Sequence, residues 1–432
     1  MRDILLIAIV VLCCFVALGR PVFGILAFIG FGFLNPQSMT WGVGQTFRHS
    51  LFVSLSTIVG YFLCSEPKRL PSQRESLLLL ALWSVFAVST VFAIYPDLSL
   101  ERLIYVSKIL LMVFLATSLI NTEHRLHLAL YAIALPVGFF GLKGGLFAVA
   151  TGGSYIVMGP EGSFIASNNA IGLALDMNIP LLLYLSKIET RRWLREIMRA
   201  MLILSYPAII CTLSRGAWLG LATVTLLIIL KSKYKSFLVP LTGILTIILL
   251  PLLPQMLPER VMNRYDDLAN YQEEASAQSR FWNWEFCKRV GLANPLTGGG
   301  FEFQSTETYA LYFPEFMARW PGKNWTCHST WYLIFGAQGF PGLVLLLSLI
   351  GSCFISLRYI GSYGTTHADV SWVCQCADML QIAFCSFIVV GTFYDAVAFD
   401  MFYYLVGIVI LLKERISHSA LPNASLAGPR VI

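Results

Sequence analysis

Residues 340–357 read FPGLVLLLSLIGSCFISL, a stretch without a single charged side chain. At 1.5 Å per residue such a helix covers about 27 Å, close to the ~30 Å hydrocarbon core of a bilayer. Working outward, similar apolar runs occupy 3–35, 49–64, 76–94, 102–120, 125–150, 168–186, 197–213, 216–230, 236–254, 372–394 and 397–412. These runs predict an all-α polytopic membrane protein of about twelve transmembrane helices. Charged residues make up 12% of the chain, half the usual ~25% of a soluble domain, which agrees with that reading. The formal charge of +6 sits in short clusters between runs, so it is no footprint for nucleic acid.

Those clusters set the orientation. Lys68, Arg69 and Arg74 follow the second run; Arg191, Arg192, Arg195 and Arg199 the sixth; Lys231, Lys233 and Lys235 the eighth; Lys413 and Arg415 the last. They recur after every second run, which places them all on the cytoplasmic face. The first run, 3–35, is long enough for two helices and breaks at Gly19-Arg20-Pro21. To keep the clusters inside, we expect one net crossing by a broken or tilted helix, with both termini cytoplasmic; a non-cytoplasmic N-terminus is the alternative. No small-residue cleavage site follows the N-terminal run, so it reads as a retained span rather than a signal peptide. The tail after Lys413 reads as loose.

On either count, residues 255–327 form a large loop on the non-cytoplasmic side, before the last three runs. A polar loop of this length is more often functional than filler. Phe301, Phe303, Tyr309, Tyr312, Phe313, Phe316 and Trp320 suit helices lying at headgroup level. No repeat, low-complexity tract or second soluble domain interrupts the chain, so 1–432 reads as one membrane domain. Most of the ten cysteines lie inside runs, where a thiol behaves as a small hydrophobe. Cys374 and Cys376 lack a second pair nearby and make a poor metal site. Cys287 and Cys327 would face an oxidising compartment and are candidates for a disulfide, though their spacing does not decide it.

Topology also filters the ionisable residues. His124, His127, His367 and His418 fall on the cytoplasmic side; His49 and His328 fall outside. His328, in Asn324-Trp325-Thr326-Cys327-His328-Ser329, stands where the loop re-enters the membrane, and a neutral imidazole there is a natural general base. The bland alternative is a helix-capping His. Arg215, in Ser214-Arg215-Gly216-Ala217, lies at the outer end of a span. Arg280, with Ser276 and Trp284, falls on one face of a loop helix. A guanidinium at the bilayer surface matches phosphate oxygens bidentately, although snorkelling to lipid headgroups is the null explanation. Lys143, in Leu142-Lys143-Gly144-Gly145, lies within a run, where ionisable groups are functional candidates; its glycines would let a helix or a phosphate approach. Asp176 and Asp378 are candidates for helix pairing, and Tyr265-Asp266-Asp267 and Glu273-Glu274 for solvated loop charge. No D-x-D, H-E-x-x-H or G-x-S-x-G occurs, so a diphosphate leaving group would be neutralised by side-chain cations, without a metal.

Ser-Arg-Gly-Ala at 214–217, Ser-x-x-x-Arg-x-x-x-Trp at 276–284, Asn-Pro-Leu-Thr-Gly-Gly-Gly-Phe at 294–301 and the His of 324–329 together resemble the O-antigen ligase superfamily. Leu-Lys-Gly-Gly at 142–145 and Gly-Pro-Glu-Gly-Ser-Phe-Ile-Ala-Ser-Asn-Asn at 159–169 resemble its exosortase-associated O-glycosylation ligases. The resemblance implies a GT-C-like fold in the bacterial inner membrane, with the 255–327 loop, part helical, over a periplasmic active site. It implies an undecaprenyl-diphosphate-linked glycan donor, inversion at the anomeric carbon, and no cofactor or metal. His328 would be the base and Arg215 and Arg280 the diphosphate binders, with Lys143 matching only the narrower branch. The acceptor we favour is a lipid A core hydroxyl. A protein acceptor or a growing O-antigen chain would use the same donor. A polysaccharide transporter is the rival class, but no repeat is visible and the candidate residues gather at one face.

Overall fold

A computed structural model describes residues 2–68, 72–240, 275–366 and 371–420. The described residues form long helices without strands. Among the described residues, seven helices are long and apolar enough to cross a membrane: Arg2–Gly19 (α1), Arg74–Val91 (α4), Pro96–Leu119 (α5), Glu123–Ala150 (α6), Asn168–Ile188 (α7), and the apolar parts of Thr330–Thr366 (α13) and Ser371–Gly391 (α14). Pro21–Leu34 (α2) and His49–Leu63 (α3) are shorter apolar helices. Arg192–Ile210 (α8), Arg215–Lys231 (α9) and Asp400–Ala420 (α15) complete the bundle. Ala275–Ala293 (α10), Thr306–Tyr312 (α11) and Pro314–Arg319 (α12) belong to the loop. The run at 236–254 falls mostly outside the described residues, as do Tyr265-Asp266-Asp267, Glu273-Glu274, Arg69 and His367. The helix carrying Lys413 continues to Ala420, so the chain just past that lysine is not loose.

Polar contacts sort into two ends. At one, Arg125 pairs with Glu66 at 2.7 Å, Tyr131 donates to Glu189 at 2.8 Å, and Lys231 pairs with Asp378. There the fully buried Glu75 accepts from Ser352 and Ser356 at 2.6 Å each and from Lys413 at 3.1 Å, tying α4, α13 and α15 together. This is the end of the basic clusters. Asp378 thus serves helix pairing, while Asp176 is buried beside Gly220 on α9.

The first run is not one crossing. Pro21 opens α2, and the residue before a proline is excluded from helical dihedrals; Arg20 sits at φ −139°, ψ 81°. Arg20 lines a cavity with Glu66, His124 and Arg125 at the basic end. At the other end of α1, Asp3 accepts from the Gly44 N–H at 3.0 Å and Arg2 stacks over Trp41. So α1 and α2 are an antiparallel hairpin, and the expected single crossing with both termini at the basic end is corrected. Small residues hold it: side-chain carbons at Gly24 and Gly60 would collide with Thr57 and the Ala17 carbonyl. Gly138, Gly141 and Gly145 likewise seat α6 on Met201, Ser205 and Leu204 of α8. The glycines around Lys143 thus admit a partner helix.

Candidate functional site

The opposite end is built from strained turns. Leu213, a non-glycine residue at φ 54°, precedes Ser214, which caps α9 by accepting from the Ala217 N–H at 3.3 Å. Ser214 donates to Asn169 at 2.6 Å, and Asn168 donates to the Thr212 carbonyl at 3.0 Å. The 159–169 stretch thereby clamps the turn before Arg215. Arg215 is 5% exposed in the first turn of α9. The helix dipole disfavours a cation at that position and favours an anion beside it.

His328 is the second strained residue, at φ 51°. Such conformations cost about 1–3 kcal/mol and persist only where the surroundings enforce them. Here the enforcer is Asp395, in the connection between α14 and α15. Its carboxylate accepts from the Ser329 N–H at 2.8 Å and stands beside the His328 N–H and the Thr326 hydroxyl. The Thr326 oxygen is also 3.3 and 3.4 Å from the two ring nitrogens of His328. The same connection pins the start of α13. Thr330 donates to the Tyr394 carbonyl at 2.8 Å and accepts from the Ala396 N–H at 3.0 Å, and Trp331 donates to Thr392 at 3.1 Å.

Phe393 joins these parts. A side-chain carbon at Gly216 would lie 3.3 Å from its Cβ, and the Arg280 guanidinium sits 5.8 Å from its ring centroid. Arg280 is close enough to His328 to act on its charge. Arg215, Arg280 and His328, far apart in sequence, therefore gather around residues 392–396. Burial pushes the His328 imidazole below its usual value; Arg280 pushes the same way, and Asp395 opposes them. Burial raises the Asp395 carboxyl, while the His328 charge, the Ser329 N–H and the neighbouring His328 N–H and Thr326 hydroxyl restrain that rise. Lys143 stands elsewhere, lining a cavity of about 720 Å³ with Gln37, Gln45 and Glu161. Among the described residues no group of three His, Cys, Asp or Glu side chains could hold a metal.

The loop is an aromatic minidomain. Phe286, Phe303, Tyr309, Phe313 and Phe316 are buried together, and Cys287 is disulfide-bonded to Cys327, which immediately precedes His328. Trp284 of α10 stacks on Tyr332 of α13. The glycine-rich 294–301 stretch is a clamp. The N–H groups of Gly299 and Gly300 donate to the Gly336 and Ala337 carbonyls at 2.8 Å each, and Phe340 donates to the Pro295 carbonyl at 2.9 Å. Opposite them α13 is interrupted at Gly339, φ 65°. On its other side the Gly299 carbonyl accepts from the Ile94 N–H at 2.9 Å, and the Phe301 N–H donates to the Ser99 hydroxyl at 2.9 Å.

Fold and site together define a polytopic helical membrane protein with two arginines and a histidine beside a half-buried carboxylate at the end opposite its basic clusters. Residues 200–347 match the O-antigen ligase family, and residues 1–190 match a family of unknown function. No curated protein matches the chain. The matched region, which holds Arg215, Arg280 and His328, belongs to the O-antigen ligase superfamily, making this a membrane glycan-transferring enzyme of that type. Lys143 lies in the other matched region and Asp395 in neither.

Proposed function

We propose that the chain transfers O-antigen glycan from undecaprenyl diphosphate to a lipid A core sugar hydroxyl at the periplasmic face of the inner membrane. The observation that carries this reading is the gathering of Arg215, Arg280 and His328 around residues 392–396. In this reading the bundle is GT-C-like, forms one membrane domain over 1–432, and the 255–327 loop covers the site. The donor diphosphate rests against Arg215 and Arg280, whose planar forks suit its oxygens, with Lys143 reaching it from the neighbouring cavity.

The acceptor O–H hydrogen-bonds His328. One ring nitrogen of the neutral imidazole keeps its proton and the other presents its lone pair as the base. As the acceptor oxygen bonds to C1 from the opposite face, its proton passes to that nitrogen. The C1–O bond to the diphosphate breaks with its electron pair on the leaving oxygen, so the configuration inverts. The arginines neutralise the departing charge, and no metal or cofactor enters. A positioned base contributes about 10²–10⁴-fold, and leaving-group stabilisation a comparable factor.

His328→Ala should lose transfer by about that 10²–10⁴-fold while the protein still folds and inserts. Wild-type transfer from purified lipid-linked donor would remove the assignment. Arg215→Lys should also fail, since a point charge does not replace the fork. The aromatic loop supports an amphiphilic acceptor; the likeness of 142–145 and 159–169 to the O-glycosylation branch supports protein as the second reading. Lipopolysaccharide ladders and glycoprotein blots from a deletion strain separate these from chain polymerisation. Transfer without an ion gradient separates all three from transport.

A further inference from the structure

A second cationic cavity lies largely in the N-terminal region, and none of Arg215, Arg280 and His328 lines it. It measures about 810 Å³ and opens between α2, α3 and α5, with Asp400 and Tyr404 of α15 on its inner side. Phe164 separates it from the Asp395 connection by packing on Phe399. Arg48, from the residue before α3, and Lys108, from α5, both line it. Lys108 lies one helical turn beyond Tyr105, whose hydroxyl donates to Asp400 at 2.8 Å, and among the described residues no ion pair joins Lys108 to Asp400. Among the described residues, neither Arg48 nor Lys108 is held by a carboxylate or a hydrogen-bonding partner. His49 lines the same cavity at 3% exposure. Its Nδ1 is 3.4 Å from the Phe47 carbonyl. Its Nε2 has no hydrogen-bond partner of ordinary geometry, beyond a weak attraction to the Phe31 carbonyl.

The remaining wall is apolar and faces outward from the bundle. Leu51, Leu55 and Leu111 line it while exposed by 40%, 52% and 47%; in a bilayer these surfaces meet lipid chains. Snorkelling accounts for one cation at a helix end. It does not account for two cations from different helices and a buried imidazole converging on one cavity. Like charges so placed repel unless an anion enters between them, and ionisable groups within membrane helices mark such pathways.

We propose that this cavity binds a lipid ending in a phosphate monoester or diphosphate. Its head sits between Arg48, Lys108 and His49, and its chain runs down the Leu51–Leu55–Leu111 wall from the bilayer. Arg48 supplies a planar fork and Lys108 a point charge; two cations and an imidazole donor suit a head with two charges better than a phosphodiester. The proposal does not rest on glycan transfer, and His328→Ala should leave it intact.

The test uses the full chain in phosphatidylcholine nanodiscs, with bound lipid counted by native mass spectrometry. Wild type should retain phosphatidic acid in preference to phosphatidylglycerol, and inorganic phosphate should not displace it. The Arg48→Gln, Lys108→Met double variant should lose at least about tenfold in retention, the worth of one charge-assisted hydrogen bond. The Arg48→Lys, Lys108→Arg variant should retain most of it. Equal retention of phosphatidylglycerol would reduce the site to surface attraction, and displacement by inorganic phosphate to a free-anion site; either overturns the proposal, as does undiminished binding in the double variant. Photoreactive phosphatidic acid keeps the question decidable if that variant misfolds. It should label wild-type peptides from α3 and α5, and labelling confined elsewhere overturns the assignment.

Discussion

Asp395 is the residue whose removal best tests how His328 is held. Its carboxylate accepts from the buried Ser329 N–H at 2.8 Å and stands beside the His328 N–H and the Thr326 hydroxyl. Asp395→Ala leaves the Ser329 N–H without that acceptor in a turn already strained at φ 51°. A buried donor left unsatisfied costs about 1–3 kcal/mol, so the aligned histidine should fall about five- to a hundredfold. Asp395→Asn keeps one oxygen for the Ser329 N–H and should lose less than the alanine variant. The assay is glycan transfer from purified lipid-linked donor, with kcat and KM separated, alongside amide exchange over 326–331. The loss should fall on kcat, with exchange accelerated in that segment.

The pH profile supplies a readout that a purely structural role would not move. The carboxylate pulls the His328 value up. Removing its charge in Asp395→Asn lets that value fall further, so the base stays unprotonated to lower pH and the acid limb moves down. Wild-type kcat and exchange in Asp395→Ala, or an acid limb that moves up in Asp395→Asn, would refute the reasoning.

Arg280 acts with the opposite sign: it pushes His328 down, so Arg280→Gln should move the acid limb of the residual activity to higher pH, and an unmoved limb would separate Arg280 from the base. The Cys287–Cys327 bond closes a separation of 40 residues, worth about 4 kcal/mol on the chain-entropy model; Cys287→Ser with Cys327→Ser should lose amide protection over 283–290 and 309–316 while α6 to α8 keep theirs, and unchanged loop protection would contradict this. The α1–α2 hairpin places Arg2 and Arg20 at opposite ends. Single cysteines there, in a cysteine-free background, should react with a membrane-impermeant maleimide from opposite sides, and same-side labelling would restore the single crossing.

Much of the bundle was readable because hydrocarbon imposes a coarse rule: apolar runs cross, and basic clusters stay on one side. Several cluster residues, Lys231 and Lys413 among them, do lie at one end of the bundle, where they pair with Asp378 and Glu75. The rule failed at 3–35, where one arginine stands in for a cluster. Helices of 18 and 14 residues there turn back on small-residue contacts that hydropathy does not register. Asp395 went unnoticed as a lone carboxylate between two apolar runs. The available signal was its place in a short connection on the same face as His328. The 294–301 stretch carries family resemblance in its glycines, yet their work is backbone pairing with residues beyond 335, a partner that only folding reveals. Lys143 was legible as an ionisable group within a run, but depth along a run does not say which cavity a side chain enters.

The joint between the glycine-rich stretch and the break in α13 carries a mechanical consequence. The outer segment of α13 is fastened to the aromatic minidomain by two backbone hydrogen bonds, a Trp–Tyr stack and a disulfide one residue from the imidazole. Its inner continuation stays locked to the bundle through Ser352 and Ser356. Gly339 breaks the helix between them, yet Phe340 just beyond it is held to Pro295, and Thr330 and Trp331 are held to the 392–396 connection that also packs on the Arg215 turn. The imidazole and the arginine turn thus hang from one common anchor.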